Sequence, residues 1–341
     1  MWEGFCTTTD DAYNPMLIRV SVGSAIVLGL VEERLDALPT TVYLLTYRDG
    51  KCTANCGFCP QAKSSKSRAD MLSRVTWPPF PTTQVVDGIV SAVCENKVKR
   101  VCIQALNYPS VFDDVLIFIS SIRSRCTVPI SVSCQPVNMD TMKKLAEAGV
   151  ERIGIPLDAA TEEIFDKIKG KEAGGPYVWQ RHLRVLEDAV KVFGKKMVST
   201  HLIVGLGETE EDLAKIFQFC VDIGVYPALF AFTPIFGTAL ERSLPPSLSV
   251  YRRVQLARYV ITLGKVRHEN LRFDDHGRIV DFGVSRKMLN KIIESGIPFL
   301  TSGCPDCNRP YYNEKPGGSI FNFPQMPTVE EIREIEKAFR E

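Results

Sequence analysis

The sequence has no excess of charge of either sign and no long apolar run. Its 341 residues carry 41 Lys and Arg against 40 Asp and Glu, a formal net charge of +1. A near-neutral chain lacks the electrostatic footprint of a protein that binds nucleic acid or an anionic membrane, so we expect neither partner. The apolar part of residues 16–30 is too short and too interrupted to span a bilayer. We therefore expect no nucleic-acid and no membrane partner.

Features of secreted proteins are also missing. The start, Met-Trp-Glu-Gly-Phe-Cys, has neither a basic region nor a leading apolar stretch. The 11 cysteines are an odd number, which does not suit a complete disulfide framework. We therefore expect a cytoplasmic protein whose thiols stay reduced and available to metal.

Short apolar runs alternate with longer amphipathic segments along the chain. Residues 14–36 predict an N-terminal helix, started by Asn14 and Pro15. The predicted strands are 41–47, 99–104, 129–134, 151–156, 197–204, 227–233, 270–274 and 297–301, and the predicted helices are 83–96, 111–124, 139–148, 160–169, 178–193, 209–223, 249–264 and 284–294. This alternation predicts an α/β fold of the (β/α)8 barrel class. The expected parts are an N-terminal helical extension (1–36), the barrel (37–303) and a C-terminal tail with a last helix packed on the barrel (304–341).

Three cysteines, Cys52, Cys56 and Cys59, form a C-x3-C-x2-C cluster after the first predicted strand. Three thiolates at this spacing can hold three irons of a [4Fe–4S] cluster, which leaves the fourth iron open to chelate a substrate. A zinc site usually pairs two short Cys or His elements, and a ferredoxin-type run carries a fourth nearby cysteine. Neither pattern is present, so the spacing favours an open iron–sulfur cluster.

A second group of thiols is expected at the same face of the barrel. Cys102 lies in the second predicted strand, Cys134 ends the third, and Cys304 and Cys307 follow the eighth in a C-x2-C pair. Because the carboxyl ends of barrel strands meet at one face, these four thiolates could close an auxiliary iron–sulfur cluster. The alternatives are a thioredoxin-type or zinc-knuckle pair at Cys304 and Cys307, with Cys102 and Cys134 as buried packing residues.

Residues from about 35 to 305 resemble biotin synthase and its relatives among the radical S-adenosylmethionine (SAM) enzymes. The matching segments are Cys-Gly-Phe-Cys-Pro-Gln (56–61), Leu-Asp (157–158), Ile-Val-Gly-Leu-Gly-Glu (203–208) and Pro-Ile-Phe-Gly-Thr-Ala-Leu (234–240). The resemblance implies a TIM-type barrel in which Cys52, Cys56 and Cys59 ligate a [4Fe–4S] cluster whose open iron binds SAM. It implies further SAM contacts from Phe58 (adenine), Ala105, Leu106 and Asn107 (methionine amino group), Asp158 (ribose), and Ile203 and Gly205 (beside the adenine). No catalytic side chain is expected beyond the cluster ligands.

Two departures separate this chain from biotin synthase. That family holds its sulfur-donating cluster with cysteines on strands two, three and five and an arginine, but the strand-five position here is Ser199 and the arginine has only an offset counterpart, Arg278. The tail Gly303-Cys-Pro-Asp-Cys-Asn-Arg-Pro-Tyr-Tyr resembles instead the archaeal lipoyl synthases, which work as a pair of related proteins.

The sequence therefore predicts sulfur insertion at unactivated C–H bonds, most simply by a lipoyl synthase. The resemblance implies as partners a lipoyl carrier domain bearing octanoyl-lysine, a paralogous radical SAM protein and a ferredoxin-type electron donor. The alternatives are a biotin synthase-like sulfurtransferase, a radical SAM methyltransferase or rearrangement enzyme with structural metal at the C-x2-C pair, and a non-catalytic partner that carries clusters.

Overall fold

The computed structural model describes residues 16–314 and 317–339. The strands are β1 (Leu17–Val20), β2 (Thr41–Thr46), β3 (Met71–Leu72), β4 (Val75–Thr76), β5 (Pro79–Pro81), β6 (Arg100–Gln104), β7 (Ile130–Ser133), β8 (Val150–Gly154), β9 (Val198–Val204), β10 (Val225–Ala231), β11 (Arg272–Phe273) and β12 (Ile279–Asp281). The helices are α1 (Val22–Val27), α2 (Thr82–Cys94), α3 (Val111–Arg123), α4 (Met139–Glu147), α5 (Glu162–Ile168), α6 (Trp179–Phe193), α7 (Glu210–Ile223), α8 (Leu248–Thr262), α9 (Arg286–Glu294) and α10 (Val329–Ala338), with 3₁₀ turns at His268–Asn270 and Ile297–Phe299. Within the described ranges, no helix combines the length and the apolar character that a bilayer-spanning segment needs.

An eight-stranded sheet organises the molecule in the order β10-β9-β8-β7-β6-β2-β1-β5. Strands β2, β6, β7, β8, β9 and β10 pair in parallel with their neighbours in this order, and at least one helix lies between each of them and the next along the chain. At the other end, β1 pairs antiparallel with both β2 and β5. This mixed α/β architecture confirms the predicted (β/α)8-type fold.

The strands form where the sequence suits a sheet covered on both faces. Strand β2 reads Thr-Val-Tyr-Leu-Leu-Thr and is buried at every position, as expected for a parallel strand with helices outside it. In β9, Thr200, Leu202 and Val204 pack outward, whereas Ser199, His201 and Ile203 line an inner cavity. The two-residue period of the strands therefore delivers alternate side chains to one interior space.

Three predicted elements are wrong. Residues 14–36 do not form one helix: β1 and the short α1 occupy this stretch, because Leu17–Val20 pairs with two neighbouring strands. Asn14 and Pro15 lie outside the described residues. The stretch 270–274 contributes only β11, in a hairpin with β12, and 297–301 contains a 3₁₀ turn instead of a strand. The other predicted strands and helices are confirmed, including the last helix, which Thr328 caps.

Candidate active site

One cavity of about 230 Å³ occupies the space inside the sheet. Both groups of thiols contribute to its walls: Cys52, Cys56, Cys59, Cys102, Cys134, Cys304 and Cys307. Apolar side chains, including Leu45, Ala228 and Phe230, line the space between the two groups. The cavity therefore connects the two cysteine motifs through a largely apolar interior.

The loop that carries the first three cysteines is held at the carboxyl end of the sheet by backbone hydrogen bonds. It follows β2, and the N–H of Gly57 donates to the carbonyl oxygen of Ile168 at 2.6 Å. The N–H of Leu240 donates to the carbonyl oxygen of Gly57 at 3.1 Å. The Lys51 ammonium donates to the carbonyl oxygens of Pro60 and Ser67, both at 2.6 Å. The three sulfurs are thus carried by a loop fixed at several points.

The surroundings of these thiols oppose ionisation unless a cation is present. Burial raises the pKa of Cys56 well above its ordinary range, against the opposing effect of the Lys169 ammonium. Burial also raises the pKa of Cys59 to about 12. The sulfur of Cys52 accepts hydrogen bonds from the N–H of Asn107 at 3.2 Å and of Ala54 at 3.5 Å. Buried thiols of this kind become thiolates when a metal centre supplies the positive charge.

Most residues assigned to SAM by the resemblance lie around this loop. Phe58, Ala105, Leu106, Asn107, Asp158 and Ile203 all line the cavity. The buried Asp158 follows β8 and bridges to β9, where the N–H of Ile203 donates to its carbonyl oxygen at 2.9 Å. Gly205 is not among the described residues that line the cavity; it has a φ of +105° and packs against Pro246. We interpret its role as shaping the turn after β9.

The C-x2-C pair lies at the opposite end of the sheet from the first cysteine loop. The carbonyl oxygen of Asp306 accepts hydrogen bonds from the hydroxyls of Thr40 at 2.6 Å and Thr41 at 3.0 Å, at the start of β2. Arg100, the first residue of β6, donates to the carbonyl oxygen of Pro305 at 3.1 Å. The expectation that all thiols share one mouth is therefore wrong, because residues 297–301 do not form a strand that ends at the carboxyl face.

The structure groups three of the four auxiliary thiols. Burial raises the pKa of Cys102 well above its ordinary range, and the neighbouring thiols of Cys304 and Cys307 raise it further. For Cys134, burial alone raises the pKa to about 12. The hydroxyl of Ser131 contacts Cys304, and Cys134 lies three residues further along the chain. Three residues of strand span about 10 Å, so Cys134 is about that distance along the strand from the contact with Cys304. Cys134 thus lines the cavity nearer the first cysteine loop.

Several polar residues at the cavity or directly behind its wall were missed by sequence reasoning. Lys169 is fully buried behind Asp158, and the guanidinium of Arg309 lies 3.9 Å from the ring centroid of Phe230. Arg309, and not Arg278, brings a guanidinium to the cavity, because Arg278 is exposed in the β11–β12 turn. A tyrosine, Tyr43, also lines the cavity from β2. No local motif marks these positions, since each depends on distant contacts.

The donor sets suit iron–sulfur clusters better than single metal ions. Among the described residues, no three His, Cys, Asp or Glu side chains converge in the way that one metal ion requires. A zinc site needs four donors around one ion, whereas a cluster takes one thiolate on each of several irons and so accepts more widely spaced ligands. Two groups of three thiols that face one cavity therefore fit cluster binding.

Comparison with known proteins shows the family of the chain. The profile of the Radical SAM superfamily matches residues 50–220, which is half of the chain. The biotin synthase of Hydrogenobaculum sp. (strain Y04AAS1) is 24% identical over 315 residues, 90% of this chain and 88% of that protein. The biotin synthase of Aquifex aeolicus (strain VF5) is 25% identical over 283 residues, 79% of this chain and 77% of its own length.

A solved structure shares the fold. The crystal structure of methylornithine synthase matches with a TM-score of 0.51 and 14% sequence identity. The match covers 65% of this chain and 62% of that chain, less than two thirds of its length. This likeness supports the barrel architecture alone.

Proposed function

The chain belongs to the radical SAM superfamily, which implies a [4Fe–4S] cluster and SAM as cofactors, and on this premise we propose that it inserts sulfur at unactivated C–H bonds. The substrate that we propose is the octanoyl-lysine of a lipoyl carrier domain, which would make the protein a lipoyl synthase.

The observation that carries the proposal is the presence of two thiol groups at opposite ends of one apolar cavity. Cys52, Cys56 and Cys59 would hold the SAM cluster, and Cys102, Cys304 and Cys307 would hold an auxiliary cluster. When bound, these groups would supply a 5′-deoxyadenosyl radical to abstract hydrogen and a sulfide to join the resulting carbon radical. An enzyme of this kind needs its two reactive centres on either side of the substrate, which this arrangement would provide.

The side chains between the two thiol groups would position an aliphatic chain and exclude water. Leu45, Ala228 and Phe230 would contact the methylene groups, and His201 packs on Phe230 with ring centroids 4.8 Å apart. Burial, followed by the charges of Arg309 and Lys169, lowers the pKa of His201 to about 3, so its imidazole is neutral at physiological pH. A largely apolar wall whose histidine is neutral suits radical chemistry, which needs water to be excluded more than it needs proton donors.

The choice of octanoyl-lysine over dethiobiotin has two supports. Ser199 stands where biotin synthase has a cluster cysteine, and the C-x2-C tail resembles archaeal lipoyl synthases. By the same resemblance we propose a paralogous radical SAM partner, a ferredoxin-type electron donor and a cytoplasmic location.

The experiment begins with the variant in which Cys52, Cys56 and Cys59 are all changed to alanine. After anaerobic reconstitution, its iron, its sulfide and its electron paramagnetic resonance (EPR) spectrum are measured. We expect a residual reducible cluster that disappears when Cys304 and Cys307 are also changed to alanine. Replacement of the exposed Cys94 by alanine serves as the control.

The activity is then tested with the unmodified protein, SAM, a reductant and an octanoylated carrier domain, with dethiobiotin as the competing substrate. Sulfur gain on the carrier domain, detected by mass spectrometry, would support the proposal. Sulfur gain on dethiobiotin alone would replace it with biotin synthesis. An iron-free triple variant would remove the sulfur donor and contradict both.

A further inference from the structure

Each sulfur of the C-x2-C pair lies next to a hydroxyl group from a neighbouring strand. The hydroxyl oxygen of Tyr43, in β2, is 3.4 Å from the Sγ of Cys307. The hydroxyl oxygen of Ser131, in β7, is 3.5 Å from the Sγ of Cys304. Tyr43 and Ser131 are both buried, so the two hydroxyls are shielded from water.

A second partner, the backbone of Arg309, occupies the acceptor side of the Tyr43 hydroxyl. Its hydroxyl oxygen accepts from the backbone N–H of Arg309 at 3.0 Å. A phenol has a single O–H, and a backbone N–H can only donate. When Cys307 is a thiolate it has no proton to give, so the O–H of Tyr43 is the donor between the two atoms.

The donors and acceptors around Ser131 are assigned in the same way. Its hydroxyl oxygen accepts from Nη1 of Arg100 at 2.9 Å, and a guanidinium has no acceptor. The O–H of Ser131 therefore donates to the sulfur of Cys304. Arg100 is itself held by Glu151, at 2.6 Å, and by the carbonyl oxygen of Pro305, at 3.1 Å. Both donors are thus oriented by contacts that do not depend on a bound cluster.

We propose that Tyr43 and Ser131 donate hydrogen bonds to the Cys307 and Cys304 thiolates of an auxiliary iron–sulfur cluster and thereby raise its reduction potential. The inference rests on the proposed function, which assigns a cluster to these thiols. Hydrogen bonds to cysteinyl sulfur offset negative charge and so favour the more negative, reduced state of an iron–sulfur group. Two buried donors on the two ligands of one C-x2-C pair act in the same direction.

The test measures the midpoint potential of the auxiliary cluster by an EPR-monitored redox titration. The full chain with Cys52, Cys56 and Cys59 changed to alanine serves as the parent, so that only the auxiliary cluster reports. Tyr43→Phe and Ser131→Ala are added singly and together. We expect each to shift the midpoint to a more negative potential and the double variant to shift it furthest.

The controls make the same chemical changes away from the sulfurs. Tyr47→Phe removes a hydroxyl that donates to Asp49. Ser133→Ala removes a hydroxyl two residues further along β7, which has no hydrogen bond to a sulfur among the described residues. Neither control should move the midpoint.

The outcomes separate this inference from the proposed function. A parent without a residual cluster overturns both. If the parent holds a cluster and its midpoint potential is unchanged in both Tyr43→Phe and Ser131→Ala, only the further inference is overturned. The two variants act on different sulfurs and different strands, so a failure of one to fold leaves the other as a decisive test.

Discussion

The ammonium nitrogen of Lys169 lies 2.7 Å from a carboxylate oxygen of Asp158, and both side chains are almost completely buried. Lys169 also donates to the carbonyl oxygen of Pro156 at 2.7 Å and lies over the ring of Tyr177. Asp158 has a φ of +68°, in the left-handed region that few non-glycine residues adopt. Asp158 therefore has an uncommon backbone conformation, and the ion pair with Lys169 holds its carboxylate in place beside the first cysteine loop.

We predict that Lys169→Met weakens SAM binding by about tenfold or more. Without its cation the Asp158 carboxylate is no longer held in position for the SAM ribose, and losing one charge-assisted hydrogen bond between the two costs about 1.5–3 kcal/mol of binding free energy. Equilibrium dialysis with SAM on the anaerobically reconstituted protein measures the affinity. Lys167→Met is the matched control, because Lys167 is exposed and pairs with Glu163 on the surface of the same helix. An unchanged SAM affinity in Lys169→Met would assign the pair to folding alone.

We predict that Cys102→Ser abolishes the auxiliary cluster, whereas Cys134→Ser retains it. Cys102 interacts with Cys304 and Cys307, but no such interaction contributes to the pKa of Cys134. Iron content and EPR spectra, recorded with the first three cysteines changed to alanine, distinguish the two variants. Loss of the cluster in Cys134→Ser would restore the four-thiol set that the sequence predicts.

The fold was predictable where local pattern and tertiary environment agree. The helices show regular amphipathic spacing, and the parallel strands are short apolar runs between them. The failures occur where distant pairing decides: Leu17–Val20 becomes a strand because β2 and β5 flank it. A short apolar run such as 297–301 does not by itself distinguish a strand from a turn.

The part of the site formed by residues close in sequence was predictable, and the part formed by distant contacts was not. The spacing of Cys52, Cys56 and Cys59 is local, so one loop brings them together. The contacts of the C-x2-C pair join residues far apart in sequence, 173 positions for Ser131 and Cys304 and 205 for Arg100 and Pro305. Lys169 has no motif around it, and only the folded chain brings it to Asp158.

We predict that Gly205→Ala destabilises the protein by about 2–4 kcal/mol and Gly207→Ala by only about 1–2 kcal/mol. Both glycines have positive φ, +105° and +116°, so any side chain adds backbone strain. At Gly205 a Cβ would also lie 2.8 Å from Cδ of Pro246, whereas at Gly207 nothing lies within 4 Å. The free energy of unfolding from urea denaturation measures both losses. Equal losses would show that Pro246 moves away without cost.

The last prediction concerns His182, which is fully buried with rings of Phe165 and Tyr177 around it. Burial, and next the charge of Lys169, lowers its pKa to about 2. The unfolded chain, with an ordinary histidine pKa of about 6.5, therefore binds a proton at mildly acidic pH that the folded chain does not bind. The contribution of His182 to stability is complete above pH 6.5 and decreases as the pH falls below it.

Between pH 7.5 and pH 5.5, this proton should lower the free energy of unfolding by about 1.4 kcal/mol. We expect His182→Phe to remove that part of the pH dependence, whatever its effect on stability at pH 7.5. Urea denaturation of the cluster-free chain at the two pH values measures the difference, and His276→Gln is the control because His276 is exposed. If His182→Phe keeps the full pH dependence, the imidazole takes up its proton in the folded state and the neutral, buried assignment is wrong.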